Sequence, residues 1–425
     1  MNGNPLFPKQ GHKKAKDAAS FLLIAGVLGI SVLGALAVKI PIKNVMEIFQ
    51  YDVLIILITM ELFTNLISGT NIMQYIAVRL AIKSNGSRRR ILIFFGALMF
   101  LISPLVNNIT AVLIILPVIT VLLKAITLDR AYICVFFSIL LSISNTGGAA
   151  SPIGDFPAIV IMTSGITTFS DYLLRAMPLF LLTSIALLSF WVFRVRECID
   201  GNVQKLAVDL LGTRYKHIKV DKKTLLGLCL IFVGMFFAWS LIPRDWMPPE
   251  TVALIGYTVG AVFSALRGNA LKLTIDFKPI LTIAVFLFLA GTVRSSGALE
   301  SIAQLLQLHI QSPRLLLLAI MVITSIASGL FSAGPAAAAM MPIIVNLCET
   351  TLAGKAHWAA IAYAASICAG SSMFLWSATA GFILSGKVDD ARLGYCWGIR
   401  EYLKYGIINY SIQMAIAMAA IMLML

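Results

Sequence analysis

Residues 91–123 form an apolar stretch too long to cross a bilayer once and too short to cross it twice, with Pro104-Leu105-Val106-Asn107-Asn108-Ile109-Thr110 at its centre. A spanning helix uses about 20 apolar residues. Polar residues and helix breakers at mid-membrane are tolerated only where they are buried in protein or line a cavity, because freed backbone groups find no water there. The economical solution is a hairpin that enters and leaves on one side. Residues 131–165 pose the same problem, interrupted by Gly147-Gly148-Ala149-Ala150-Ser151-Pro152-Ile153-Gly154-Asp155. That pattern predicts a discontinuous helix.

The rest of the chain surrounds these two breaks with ordinary spans, read at 18–38, 51–67 and 174–193. Between them, residues 71–84 place Ile72, Tyr75, Ile76 and Leu80 on one face, which predicts a short amphipathic helix lying in the interface. After a basic loop at 194–223 and an unpaired span at 224–242, the order returns. Spans at 250–266 and 279–293, an amphipathic piece at 297–309, an apolar run at 314–348 broken at Ser332-Ala333-Gly334-Pro335, a broken helix at 357–386 and a final span at 404–425 follow. The domain reading is a tail at 1–17, a first repeat at 18–193, a linker at 194–249 and a second repeat at 250–425.

The charge distribution sets an expected orientation. With the N-terminus cytoplasmic and the C-terminus outside, all but seven of the 33 Lys and Arg fall on the inner side; the exceptions are Lys39, Lys43, Arg175, Arg244, Arg294, Arg314 and Lys355. Cytoplasmic loops carry such an excess. The same distribution excludes nucleic-acid binding as the source of the +14 net charge, because the cations lie between apolar runs rather than on one face. With 59% apolar and 12% charged residues, no soluble domain is expected. The six Cys form no C-x-x-C pair and read as packing residues.

Because span 224–242 is unpaired, the second half enters the bilayer in the opposite sense from the first. The expected fold is therefore an all-α polytopic membrane protein, an inverted repeat with two re-entrant hairpins and two broken helices. The halves align at residue level: Pro117 and Pro342 are 225 apart, as are Asn107 and Ser332, and Gly147 and Gly370 are 223 apart. Inverted repeats with broken helices point to a transport site near the midplane.

Two carboxylates lie deep in apolar sequence, Glu61 in the second span and Asp155 at the first broken helix. An ionisable group there costs about 3 kcal/mol or more, which makes both functional candidates. Asp155 is also placed to cap the second half-helix. Asn107, Asn108, Thr110, Ser144, Asn145 and Thr146 supply oxygen atoms beside unwound backbone, suited to a small hard cation, while helix N-termini at the same breaks would attract an anion. In the second half the polar inventory is Ser332, Ser371, Ser372, Ser377 and Thr379. Gly381 to Lys387 imitates a phosphate loop but is followed by Val388 where Ser or Thr is required. No H-E-x-x-H zinc motif and no nucleotide-binding domain is present, so an ion gradient is the expected energy source. No enzyme activity and no cofactor are expected.

S-N-T-G-G-A-A-S-P-I-G-D-F-P-A-I-V at 144–160 resembles the G-G-x-x-[ST]-x-I-G-D motif of the ion transporter superfamily, which includes NhaD-type sodium/proton antiporters, arsenite permeases, and citrate and dicarboxylate carriers. Asn107 to Pro117 is similar to that family's first hairpin tip. C-A-G-S-S-M-F-L-W-S-A-T-A-G at 368–381 most resembles the NhaD-type second broken helix. The resemblance implies a dimer that moves a transport unit against a scaffold. It implies a site at Asn107, Asn108, Thr110, Asn145, Thr146, Ser151 and Asp155, to which the polar residues of the second half add Ser332, Ser371, Ser372 and Thr379 as candidate ligands. The antiporters usually carry D-N-x-P at the second hairpin, where this chain has Ser332-Ala333-Gly334-Pro335.

The leading expectation is a sodium/proton antiporter in the cell membrane (the inner membrane of a bacterium), with Asp155 binding the cation and Glu61 as a second titrating group. Its rival is an ion-coupled citrate, dicarboxylate or arsenite carrier in which Asp155 is a cap. A channel or scaffold comes third.

Overall fold

The computed structural model of the protein describes residues 49–106, 108–126, 129–197, 218–269, 277–296, 312–352, 354–378 and 397–424, with isolated positions between them. Every regular element among these residues is a helix. In chain order they are α1 (Tyr51–Gly69), α2 (Ile72–Lys83), α3 (Arg88–Ile102), α4 (Asn108–Ile126), α5 (Arg130–Ala149), α6 (Phe156–Ser164) and α7 (Phe169–Arg194). The second series is α8 (Lys222–Leu241), α9 (Pro249–Leu266), α10 (Phe277–Ser295), α11 (Pro313–Phe331), α12 (Ala333–Glu349), α13 (Ala356–Ser371) and α14 (Ile399–Met424). Seven of them, α1, α5, α7, α8, α9, α11 and α14, are long and apolar enough to cross a membrane.

Both expected hairpins are present as helix–break–helix units, α3–α4 and α11–α12, whose arms pack on each other. The broken helix α5–α6 follows the first, and α13 with its interruption after Ser371 follows the second. Most of the first expected span, of the loop beyond Glu197 and of 297–309 lies outside the described residues.

The breaks are narrower than the sequence suggests. Gly147, Gly148 and Ala149 continue α5, and only residues 150–155 leave the helix. In the second hairpin Ser332 alone lies outside, because Ala333, Gly334 and Pro335 form the first turn of α12. A first turn tolerates Pro, since its missing N–H would have no intrahelical partner there.

Helical glycines at these places serve close packing. A Cβ on Gly147 would lie 2.9 Å from Ser103 Cβ and 3.1 Å from the Phe100 carbonyl oxygen. A Cβ on Gly370 would overlap the Ser325 carbonyl oxygen and lie 2.8 Å from Ser328 Cβ. Phe100 and Ser325, like Ser103 and Ser328, are 225 residues apart. The repeat is thus legible in packing: the same glycine lets the same turn of each hairpin approach its broken helix.

Burial grades outward from α5, which is covered along nearly its whole length by α3, α4, α7, α13 and α14. α8 and α14 keep much of their surface bare. At the basic end, α3 starts on the Ser87 cap, and Glu197 accepts from the Arg88 and Arg89 backbone N–H groups at 3.1 and 3.0 Å. A carboxylate at a helix N-terminus offsets its partial positive charge. Arg88 is buried and pairs with Asp129, the N-cap of α5, at 3.0 Å.

α2 forms where the apolar spacing predicts, with a different face inward. Ala77, Val78 and Ala81 are buried, and α2 packs on α4. Ile72, Ile76 and Leu80 instead border an open cavity, and Tyr75 is exposed under Arg79. Small residues win the contact because they let two helix backbones approach closely.

Candidate transport site

Asp155 ends the first break in extended backbone and caps α6, its Oδ1 accepting from Phe156 N–H at 2.9 Å. Its Oδ2 accepts from Asn108 Nδ2 at 3.1 Å. Asn108 is the first residue of α4, so the carboxylate joins the N-termini of two helices. The N-terminus of α12 stands beside them: a Cβ on Gly334 would lie 3.6 Å from Phe156 Cδ1. Each helix N-terminus carries roughly half a positive charge. Asp155 balances part of that charge and is only half-buried, whereas Asn108 is 1% exposed.

With its amide N–H committed to Asp155, Asn108 is left with an Oδ1 that is buried and has no hydrogen-bond partner. Such an oxygen costs about 1–3 kcal/mol unless something occupies the space before it. The space is kept open by Gly148, where a Cβ would sit 2.9 Å from both Asn108 Oδ1 and Asp155 Cβ. Gly154 seals the floor, within 3.0 Å of Pro104 Cα and the Ser103 carbonyl oxygen by the same measure. No Lys or Arg hydrogen-bonds to any residue of this cluster among those described.

A second cluster links the halves. Asn145 of α5 donates to Ser371 Oγ at 3.1 Å and to Ser372 Oγ at 3.4 Å, at the C-terminal end of α13. Ser377 Oγ donates to the Phe374 carbonyl at 2.7 Å, and the Ser377 carbonyl accepts from Ser332 Oγ at 3.0 Å and Ala333 N–H at 3.2 Å. The second hairpin tip is therefore fastened to the second break.

Other expected site residues have structural partners. Thr146 bonds Ser184 on α7 at 2.8 Å. Ser151 accepts from Ile153 N–H within the break turn at 3.4 Å. Thr110 is half-buried in the first turn of α4, and Glu61 is half-buried on α1, a helix that packs against α6. Asn107 and Thr379 lie outside the described residues.

The sequence reading gives α14 as a plain final span and misses its two buried amides. Gln413, 3% exposed, accepts through Oε1 from Ser372 Oγ at 3.5 Å and Cys368 Sγ at 3.6 Å, while its Nε2 is buried without a partner. Asn409, one turn earlier and fully buried, accepts from Trp191 Nε1 and donates to Ser142 Oγ, both at 2.8 Å. Two amides four residues apart in an apolar final span were the available signal, because they share one helix face.

The citrate transporter family profile matches residues 13–365 and again 235–425. The chain belongs to that family. It is similar to a 46 kDa membrane protein of Mycobacterium leprae, 24% identical over 395 residues that cover 90% of each chain. It is 26% identical over 404 residues, 91% of each chain, to a protein of Mycobacterium tuberculosis described as an uncharacterized transporter. The magnetosome protein MamN of Magnetospirillum gryphiswaldense shares 22% identity over 410 residues, 92% of this chain and 91% of its own. With the profile spanning both halves and the multipass fold, this citrate transporter family member is a secondary membrane transporter, as the resemblance to the ion transporter superfamily implies.

Proposed function

We propose that this transporter exchanges a small inorganic cation, sodium in the first instance, for protons, with Asp155 as the carboxylate that both use. The observation that carries the reading is the orphaned Asn108 Oδ1 beside the Asp155 carboxylate, in a cradle that Gly148 keeps open. Oxygen ligands of this hard kind suit a cation, and a competing proton would take the same carboxylate. Glu61, on the neighbouring α1, is the second titrating group in this reading. The family resemblance supports a homodimer, and the Lys and Arg excess supports a cytoplasmic N-terminus.

A second reading has its own support. Three helix N-termini meet at Asp155 and Phe156, the hydroxyls of Ser332, Ser371, Ser372 and Ser377 stand in the second half, and the family is described as citrate transporters. A carboxylate substrate would then bind on the second-half side, coupled to a cation at Asp155.

Proteoliposomes loaded with a pH-sensitive dye separate the two. A sodium jump that moves internal pH, abolished in Asp155→Asn, is the expected result. Uptake of labelled citrate without any sodium-driven pH change would replace exchange by carboxylate transport. Normal exchange in Asp155→Asn would remove both mechanisms.

A further inference from the structure

A cavity of about 980 Å³ opens between α2, α3 and α8. Ile76 and Leu80 of α2, Phe94 and Leu101 of α3, and Cys229 and Val233 of α8 are among its walls, and no charged side chain lines it. Along α8 it reaches from Leu225 to Ser240, about 22 Å at 1.5 Å per residue. That is most of the roughly 30 Å hydrocarbon thickness. It also reaches Leu105 and Val106, in the first hairpin's break.

The cations at its rim stand at one end. The Lys83 ammonium lies 5.9 Å from the centre of the Phe94 ring, itself a wall residue. Lys222 and Lys223, both exposed, occupy the first turn of α8 just before Leu225. That turn is tied to the α1–α2 corner, Asp221 N–H donating to the Thr70 carbonyl and Asn71 Nδ2 to the Lys219 carbonyl, both at 3.3 Å. Among the described residues Asp221 bonds Thr224 and Asn269 and makes no ion pair with either lysine.

A hydrocarbon slot with ammonium groups at one end has the outline of a lipid with a negatively charged headgroup. We propose that this cavity binds an anionic phospholipid from the leaflet at the basic end of the bundle, its acyl chains between α3 and α8 and its phosphate among Lys83, Lys222 and Lys223. The charge pattern selects lipid over a second copy of the chain, since a two-fold partner at this slot would bring the same three lysines against themselves. Basic residues at a membrane surface attract anionic lipid in this way. The acyl chains would pack against Leu105 and Val106, so that the lipid supports the hairpin break that leads into Asn108.

Cys229 gives direct access, being exposed where Cys134, Cys348 and Cys368 are buried. The full chain carrying Cys198→Ser and Cys396→Ser, labelled at Cys229 with a small fluorophore, would be titrated in detergent with brominated phosphatidylglycerol or phosphatidylcholine. Quenching by phosphatidylglycerol at concentrations at least ten-fold lower is expected. In Lys83→Gln/Lys222→Gln/Lys223→Gln the two lipids should quench alike, with thermal unfolding unchanged. Equal quenching of the unsubstituted lysine protein by both lipids would mean general hydrocarbon contact only and overturn the proposal. Absence of quenching with Cys229–Cys229 cross-linking would overturn it in favour of a second copy.

Discussion

Tyr172 and Tyr402 make the same contact in the two halves of the molecule. The Tyr172 hydroxyl donates to the Ala149 carbonyl at 2.7 Å, and the Tyr402 hydroxyl donates to the Ser372 carbonyl at 2.8 Å. Ala149 and Ser372 are 223 residues apart, the spacing that also separates Gly147 from Gly370. A broken helix frees carbonyls that lipid cannot satisfy, and each half answers with a tyrosine from the helix that follows.

Tyr172→Phe and Tyr402→Phe should therefore each destabilise the protein by about 1–3 kcal/mol, the cost of leaving a buried carbonyl unbonded. Thermal unfolding in detergent measures this. A shift within error for both variants would show that the breaks draw on other donors.

Gly148 is the position where the smallest change should do most. A methyl group there would sit 2.9 Å from Asn108 Oδ1 and Asp155 Cβ, inside the cradle. Gly148→Ala is expected to lose at least ten-fold in transport while still reaching the membrane and unfolding cooperatively. Wild-type transport in Gly148→Ala would show that the cradle is not where cargo or coupling ion binds.

Much of this arrangement is readable from the sequence, and what escapes does so for physical reasons. The two hairpins and the break before Asp155 are visible because Pro, Gly and Asn at mid-membrane have few acceptable explanations. The limits of the breaks are not visible, because Gly147 and Gly370 look like helix breakers and act as contact points inside helices. Site membership is harder still. Thr146 and Asn145 are adjacent, yet α5 sends one to Ser184 and the other to Ser371. Gln413 arrives from a helix whose pattern reads as an ordinary span.

Asp221 caps α8 and ties it to the turn after α9, accepting from the Thr224 side chain and backbone N–H and from Asn269 Nδ2. These bonds, the Thr224 hydroxyl foremost, pull its carboxyl down to about 2. A carboxyl depressed in the folded state stabilises fully above its unfolded value, about 3.9, and loses that contribution as pH falls through the folded value. Asp221→Ala should lower the unfolding temperature by an equal amount at pH 6 and pH 8, and by progressively less below pH 4. A difference that grows on acidification would contradict the assignment.

Ser332 holds the second hairpin in a conformation that few side chains accept, with φ 84° and ψ 157°. Such backbone costs about 1–3 kcal/mol for a residue other than Gly. It persists because its hydroxyl and the following N–H both bond the Ser377 carbonyl, at 3.0 and 3.2 Å. Ser332→Ala keeps the strain and loses the hydroxyl bond, whereas Ser332→Gly loses the bond and relieves the strain. The Ala variant should therefore unfold at a lower temperature than the wild type, with the Gly variant close to wild type, the lost bond and the relieved strain each being worth about 1 kcal/mol. If Gly proves the more destabilising of the two, the backbone at Ser332 carries no strain.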